Sequence, residues 1–307
     1  MESVEMPAGP PDADDLPARR AHARAWADVL RLPLRHKRWR GTSGELAGLG
    51  VGSSLDFQDH RTYLPGDDPR QINWQAYART GQYSMKLYRE EVRPFVDIAL
   101  DTSGSMWAFP EKRARAAELL YFTVESARRA GATVRAFAIA GPSLWPLSEE
   151  SIAGDRWAAE IGAGNTSDPP AVPLPHAPPS LGRMPFRLGS LRVLISDLLF
   201  PGAPESVLHP LVARQGRGLV LAPFANEELN PDWQGNLEFI EAEARTRHHH
   251  HVDPPTLTRY KEAYQRHFDL WKQAALRHGI AMARIPSQGD LGSALRLEAV
   301  PAGALEC

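Results

Sequence analysis

A carboxylate and two hydroxyls alternate in the stretch Asp101-Thr102-Ser103-Gly104-Ser105. Where a chain curls at the end of a strand, that spacing lets Asp101, Ser103 and Ser105 aim their oxygens at one point. A second carboxylate follows the serine of Ser196-Asp197, and Gly164-Asn165-Thr166 reads as a turn presenting a further hydroxyl. Every donor in this set is a hard oxygen. Such ligands favour Mg²⁺ or Mn²⁺ over zinc or copper. Two carboxylates formally neutralise the dication. The hydroxyls fill only part of an octahedron, leaving room for water or for the carboxylate of a partner. The alternative role for Asp101 and Ser105 is to cap the helix that follows them.

These residues need a scaffold that brings distant segments to one edge. The run FVDIALD at 95–101 is apolar and too short for a buried helix, so it predicts a buried strand ending at Asp101. RVLISDL at 192–198 predicts another, ending beside Asp197. Between and beyond them helices alternate with strands. Helices are expected over 111–131, 204–215 and 255–279, and strands over 134–140, 218–224 and 280–285. That alternation predicts an α/β fold with a mainly parallel sheet flanked by helices. Ligands in such folds bind beyond the C-terminal strand ends, at the switch point of strand order. Asp101 and Asp197 are therefore expected at one edge of one sheet.

The rest of the chain divides in two. Residues 1–40 read as a disordered tail followed by a basic arm, with Ala18 to Leu32 able to form a short amphipathic helix, either as an interaction arm or packed on the domain. Residues 41–93 read as a small turn-rich N-terminal subdomain packed on the sheet, with a turn at Pro65-Gly66-Asp67-Asp68 and a strand over 84–92. Residues 94–307 form the large domain. The 307 residues carry a formal net charge of −2, which gives no general attraction to nucleic acid. The one cysteine, Cys307, makes no intrachain disulfide and no thiolate cluster. No apolar run approaches the roughly 20 residues of a membrane helix. The acidic, Pro-rich start lacks the features of a signal peptide, so a cytoplasmic protein is expected.

The set Asp101, Ser103, Ser105, Thr166 and Asp197 resembles the metal-ion-dependent adhesion site of von Willebrand factor A domains. A second motif lies just upstream: Phe57, Arg61, Tyr63, Gly66, Asp67, Asp68, Arg70, Ile72, Asn73, Trp74, Ala78, Arg79, Thr80 and Gly81. Together the two resemble the bacterial family called domain of unknown function 58, from about residue 40 to the C-terminus. The resemblance implies a von Willebrand factor A-like (Rossmann-like) fold and a partner of the MoxR-type AAA+ ATPase class, in assembling or remodelling other proteins. It implies no enzymatic activity. Asn73 stands where that family usually has aspartate. Prolines at 169, 170, 173, 175, 178 and 179 interrupt a segment after Thr166 that the resemblance makes helical.

Other features point less far. Asp67 and Asp68 with Arg61, Arg70 and Arg79 read as an internal ion-pair network or a partner surface. Gly48 to Ser53 lacks the lysine of a phosphate loop. His248 to His251 read as an exposed loop. The expected function is a metal-dependent protein-interaction module rather than an enzyme. The alternative is a metal-dependent hydrolase, phosphatase-like, on the same acidic edge, which would need a base or an activated water.

Overall fold

The computed structural model describes residues 10–12, 14–34, 42–48, 57–64, 69–88, 90–167, 178–242 and 246–307, with residues 42–48, 57–61, 71, 85–88, 90–92 and 163–167 described by backbone alone. The chain forms two units, one of residues 1–34 with 95–307 and one of residues 35–94. Along the chain, α1 (Leu16–Trp26) comes first. The second unit then contributes β1 (Thr42–Gly48), β2 (Phe57–Thr62), α2 (Trp74–Thr80), β3 (Ser84–Tyr88) and β4 (Glu90–Arg93). The first unit resumes with β5 (Phe95–Asp101), α3 (Pro110–Arg129), β6 (Thr133–Ala140), β7 (Ser143–Leu147), α4 (Glu149–Ala153) and α5 (Trp157–Ser167). It continues with β8 (Leu191–Ile195), α6 (Pro204–Val212), β9 (Arg217–Phe224), α7 (Asn226–Leu229), β10 (Gly235–Ile240) and β11 (Arg247–Val252). It ends with α8 (Pro254–Arg277), β12 (Ala281–Pro286) and α9 (Leu291–Ala294).

Six strands of the first unit make one sheet in the order β12-β9-β8-β5-β6-β7, parallel except for β7, which pairs antiparallel with β6. Strand β5 lies in its interior and is buried on both faces. Ile98 and Leu100 point one way and Ala99 the other, and all three are fully buried. One sheet face packs through Ala99, Leu194 and Val220 against Leu208 and Leu211 of α6 and Phe268 and Trp271 of α8. Helix α3 crosses β5, β6 and β9. It ends at the expected glycine: Gly131 adopts φ 70, a left-handed conformation open to it because it lacks Cβ. The sheet is thus the mainly parallel, helix-flanked α/β layer that the alternation predicts.

Several local expectations need correction. The strand expected over 192–198 stops at Ile195, and Ser196 to Leu198 turn away beyond it. Leu198, three residues past the end of the ladder, takes φ 61, which a bulky side chain rarely tolerates. His248 to His251 form part of β11, paired antiparallel with β10, and are no loop; they are exposed. The basic segment before residue 40, read as either an interaction arm or a helix packed on the domain, belongs to the sheet unit as far as Leu34. Leu16, Ala23, Leu30, Leu32 and Leu34 are buried there, Leu32 N–H donates to Ser126 Oγ (2.9 Å), and Arg217 Nη1 donates to the Pro33 carbonyl (2.9 Å). Among the described residues no helix is long and apolar enough to cross a membrane.

In the second unit β1 pairs antiparallel with β4, and β2 with β3. The expected strand over 84–92 is divided between β3 and β4. Asn73 caps α2 by accepting a hydrogen bond from Ala76 N–H on Oδ1 (3.1 Å). A neutral amide does this as well as a carboxylate, so the aspartate-to-asparagine departure leaves the local structure intact. Tyr77 and Tyr83 stack at 4.4 Å with Trp74 edge-on to both. Gly66, Asp67 and Asp68 lie outside the described residues, as do residues 49–53 of the glycine-rich stretch.

The docking of α1 gives a direct test. A Cβ at Gly292 of α9 would stand 2.1 Å from the Trp26 ring. Gly292→Ala is expected to destabilise the sheet unit by about 1–3 kcal/mol through overpacking, measured by urea denaturation. The added variant Trp26→Ala/Gly292→Ala should behave no worse than Trp26→Ala alone. An unchanged midpoint for Gly292→Ala would show that α1 is not seated there.

Candidate functional site

Strand β5 has β6 on one side and β8 on the other, so the order of connection reverses between β5 and β8. Their C-terminal ends therefore open the crevice where α/β sheets bind ligands. Asp101 closes β5 in this crevice, and Ser196 and Asp197 follow β8 into it. The two segments touch: Ser196 Oγ–H donates to Asp101 Oδ2 at 2.6 Å. Asp101 Oδ1 accepts the Ser103 N–H at 2.9 Å, which folds the chain over so that Ser103 Oγ and Ser105 Oγ come within 3.2 Å of each other. Thr102 and Trp107 brace that curl, through Thr102 Oγ1 to the Ile139 carbonyl (3.0 Å) and Trp107 Nε1 to the Thr102 carbonyl (3.0 Å). Asp101 and Asp197 are almost fully buried, while Ser103 and Ser105 are half-buried.

Thr166 is described by its backbone alone. It lies in the last turn of α5 and not in the expected turn. The proline-rich 168–177 that follows is outside them as well. The structure therefore brings together Asp101, Ser103, Ser105 and Asp197 of the five residues singled out.

Two further residues enter the edge with no motif to announce them. Lys112, in the first turn of α3, is fully buried and donates to Asp197 Oδ2 at 2.6 Å and to Glu228 Oε1 at 2.5 Å. Glu228 belongs to α7, just beyond β9, and its Oε2 accepts the Ala225 N–H at 2.8 Å. Lys112 is 85 positions from Asp197 and 116 from Glu228, so no local pattern connects them. The available signal was a lysine at the start of a helix, where the helix dipole disfavours a cation. Asp197 is held at its other oxygen too, since Oδ1 accepts the Leu199 N–H at 3.1 Å.

The electrostatics follow from burial. Asp101 is pushed up to about 7, first by its removal from water and then by the charge of Asp197, against the opposing hydrogen bonds from Ser196 and Ser103. Burial works against the Lys112 charge, but Asp197 and Glu228 outweigh it and hold its ammonium above the usual range. Glu228 is raised by burial, with Lys112 pulling the other way. Around neutral pH the edge thus holds the Lys112 ammonium and an Asp101 carboxyl close to its midpoint. Among the described residues no three His, Cys, Asp or Glu side chains gather as a metal cluster. The donors present are instead the oxygens of Asp101, Ser103, Ser105 and Asp197. They fit a hard divalent ion, which would displace the Asp101 proton and offset the repulsion from Asp197.

A separate concavity of about 670 Å³ lies under the β10–β11 hairpin, lined by Trp233, Phe239, His248, His250 and Tyr260. One of its lining residues reaches the edge, Tyr260 Oη donating to the Glu228 carbonyl at 2.8 Å.

The raised Asp101 carboxyl makes stability depend on pH. Its folded value of about 7 lies above the usual 3.8, so the folded state holds the proton more tightly. Its contribution is complete below the unfolded value and is lost as pH rises through about 7. Asp101→Asn keeps the shape without the titration. Its stability relative to wild type is expected to be higher at about pH 8 than at about pH 5, by urea denaturation without added divalent ions. The same difference at both pH values would mean that Asp101 ionises freely.

The model of the family described as Protein of unknown function DUF58 matches residues 59–268, more than half of the chain. No curated protein and no solved structure matches it. The matched span includes the Arg61-to-Gly81 motif and the Asp101, Ser103, Ser105 and Asp197 edge. This chain belongs to the DUF58 family.

Proposed function

We propose that the acidic edge is a Mg²⁺ or Mn²⁺ site of the metal-ion-dependent adhesion type, on a von Willebrand factor A-like fold, through which the chain takes up a carboxylate of a protein partner. The observation that carries the reading is Asp101, a buried carboxyl held at about 7 beside Asp197, with the Ser103 and Ser105 hydroxyls in the curl that follows it. The formal charges are consistent with it. With Asp101 protonated, Asp197, Glu228 and Lys112 sum to −1. A dication that expels the Asp101 proton brings the sum to zero. The hydroxyls leave coordination positions open, and an aspartate or glutamate from outside is the hard, anionic ligand that completes them. Thr166 is proposed as a further ligand from the resemblance. A MoxR-type AAA+ ATPase is the proposed partner, on the same ground.

One observation favours a second reading. A carboxyl with its midpoint near neutrality is suited to general acid–base work. On that reading the edge would be a metal-dependent hydrolase, with Asp101 exchanging a proton during attack on a phosphate ester.

Calorimetric titration of Mg²⁺ into wild type and Asp101→Ala decides the first point. The variant is expected to lose roughly tenfold or more in affinity, equivalent to about 1.4 kcal/mol or more. Capture of a purified MoxR-type ATPase from the same host should depend on Mg²⁺ and vanish with chelator. Equal Mg²⁺ affinity in both proteins would end the metal reading. Turnover of a phosphate ester by the purified chain, lost in Asp101→Ala, would transfer the reading to the hydrolase.

A further inference from the structure

We propose that the Lys112 ammonium is a tethered counter-cation of this edge, which occupies the Asp197 side and leaves Asp101 as the carboxylate that receives a divalent ion. The inference deepens the metal reading above and rests on it for the identity of the added ion.

The placement of Lys112 argues for a role beyond ordinary packing. Its side chain has no exposed surface, and a buried ammonium is costly unless paired and hydrogen-bonded. It also sits in the first turn of the 20-residue α3, the end of a helix that favours anions. Both burial and the dipole oppose a cation there, and only the carboxylates offset them. The two short contacts, 2.6 Å to Asp197 Oδ2 and 2.5 Å to Glu228 Oε1, supply that offset.

The same contacts occupy the Asp197 carboxylate. Oδ2 faces the ammonium and Oδ1 faces the Leu199 N–H. Asp101 differs: its partners among the described residues are a hydroxyl and a backbone N–H, and none of them is a cation. A dication arriving from the half-buried Ser103 and Ser105 side meets Asp101 unneutralised, whereas Asp197 already has a counter-ion. Lys112 thereby limits the charge offered to an external ion and decides which carboxylate gives it most. It is a positioning and specificity-determining residue, with no contact to a partner of its own.

The test uses the full chain and Mg²⁺ alone. Lys112→Met removes the ammonium. Because three acidic groups would then stay buried without a cation, a second variant, Lys112→Met/Glu228→Gln, removes one negative charge as well and restores the wild-type formal sum. Mg²⁺ affinity is read by calorimetry, and the Mg²⁺-dependent rise in melting temperature supplies a second readout. The double variant is expected to bind Mg²⁺ about tenfold more tightly than wild type or better, a difference of about 1.4 kcal/mol. It should also show the larger Mg²⁺-dependent thermal shift, and Asp197→Asn added to it should abolish the gain. Equal or weaker binding by the double variant would overturn the proposal, as would a gain that survives Asp197→Asn. No Mg²⁺ binding by wild type with clear binding by the variant would remove the metal reading of the native edge and uphold the tethered cation. No binding by either protein would overturn both.

Discussion

Carboxylates gathered at the ends of neighbouring strands repel one another, and burial magnifies the repulsion by removing the water that would screen it. The first unit meets this constraint with one ammonium. Lys112 enters from the helix that follows β5 and reaches Asp197 beyond β8 and Glu228 beyond β9, so a single side chain ties together the exits of three adjacent strands. The remaining arrangement depends on that tie. Asp197 is oriented, Glu228 caps α7, and Asp101 is left with neutral hydrogen-bond donors and a proton that it holds tightly. Removing one member of such a buried set leaves the others uncompensated, which is why these residues act as a unit.

The loop after β8 shows the same economy of parts. Leu198 is buried in a left-handed backbone conformation that costs roughly 1–2 kcal/mol for an ordinary L-residue. Its N–H is accepted by Ser196 Oγ at 3.1 Å, and its carbonyl accepts from His267 Nε2 of α8 at 2.8 Å. Ser196 also donates to Asp101, so the hydroxyl that holds the unusual turn is the one that joins the two strand exits. The Asp197 N–H donates to Met106 Sδ at 3.2 Å, which adds a contact back to the Asp101 curl. Backbone strain, packing and charge are therefore resolved in the same few residues.

Much of this was legible in the amino-acid sequence, and the reasons are specific. FVDIALD reads as β5 because a seven-residue apolar run with no helical period has few alternatives, and its bounds are those observed. The meeting of Asp101 with the Ser196-Asp197 step follows from the parallel alternation alone. Strand β7 escaped notice because Pro146 argues against a strand. Proline is tolerated there because β7 lies at the sheet edge. The hairpin escaped because four consecutive histidines show no alternation of polarity. Lys112 and Glu228 were hidden for a deeper reason: pattern reading assigns charged residues to solvated faces, and only the tertiary fold shows that these two neutralise each other inside. Thr166 was placed in a turn, and the helix α5 takes it instead.

The sheet unit is interrupted in the chain. Residues 1–34 and 95–307 build it, with 35–94 inserted between them. During synthesis the segment of residues 16–34 therefore leaves the ribosome long before the α3, β9 and α9 residues that receive it and before Glu306, which exchanges reciprocal hydrogen bonds with Arg31. Helix α1 must wait for partners translated far later than itself. Closing contacts of such long sequence separation is slow, since the entropy of a long loop is lost before any contact repays it. In the interval the inserted unit can gather its own strands, while Leu16, Leu30 and Leu34 remain uncovered. A nascent chain of this design leaves those leucines open to chaperones until the segments that cover them have been made.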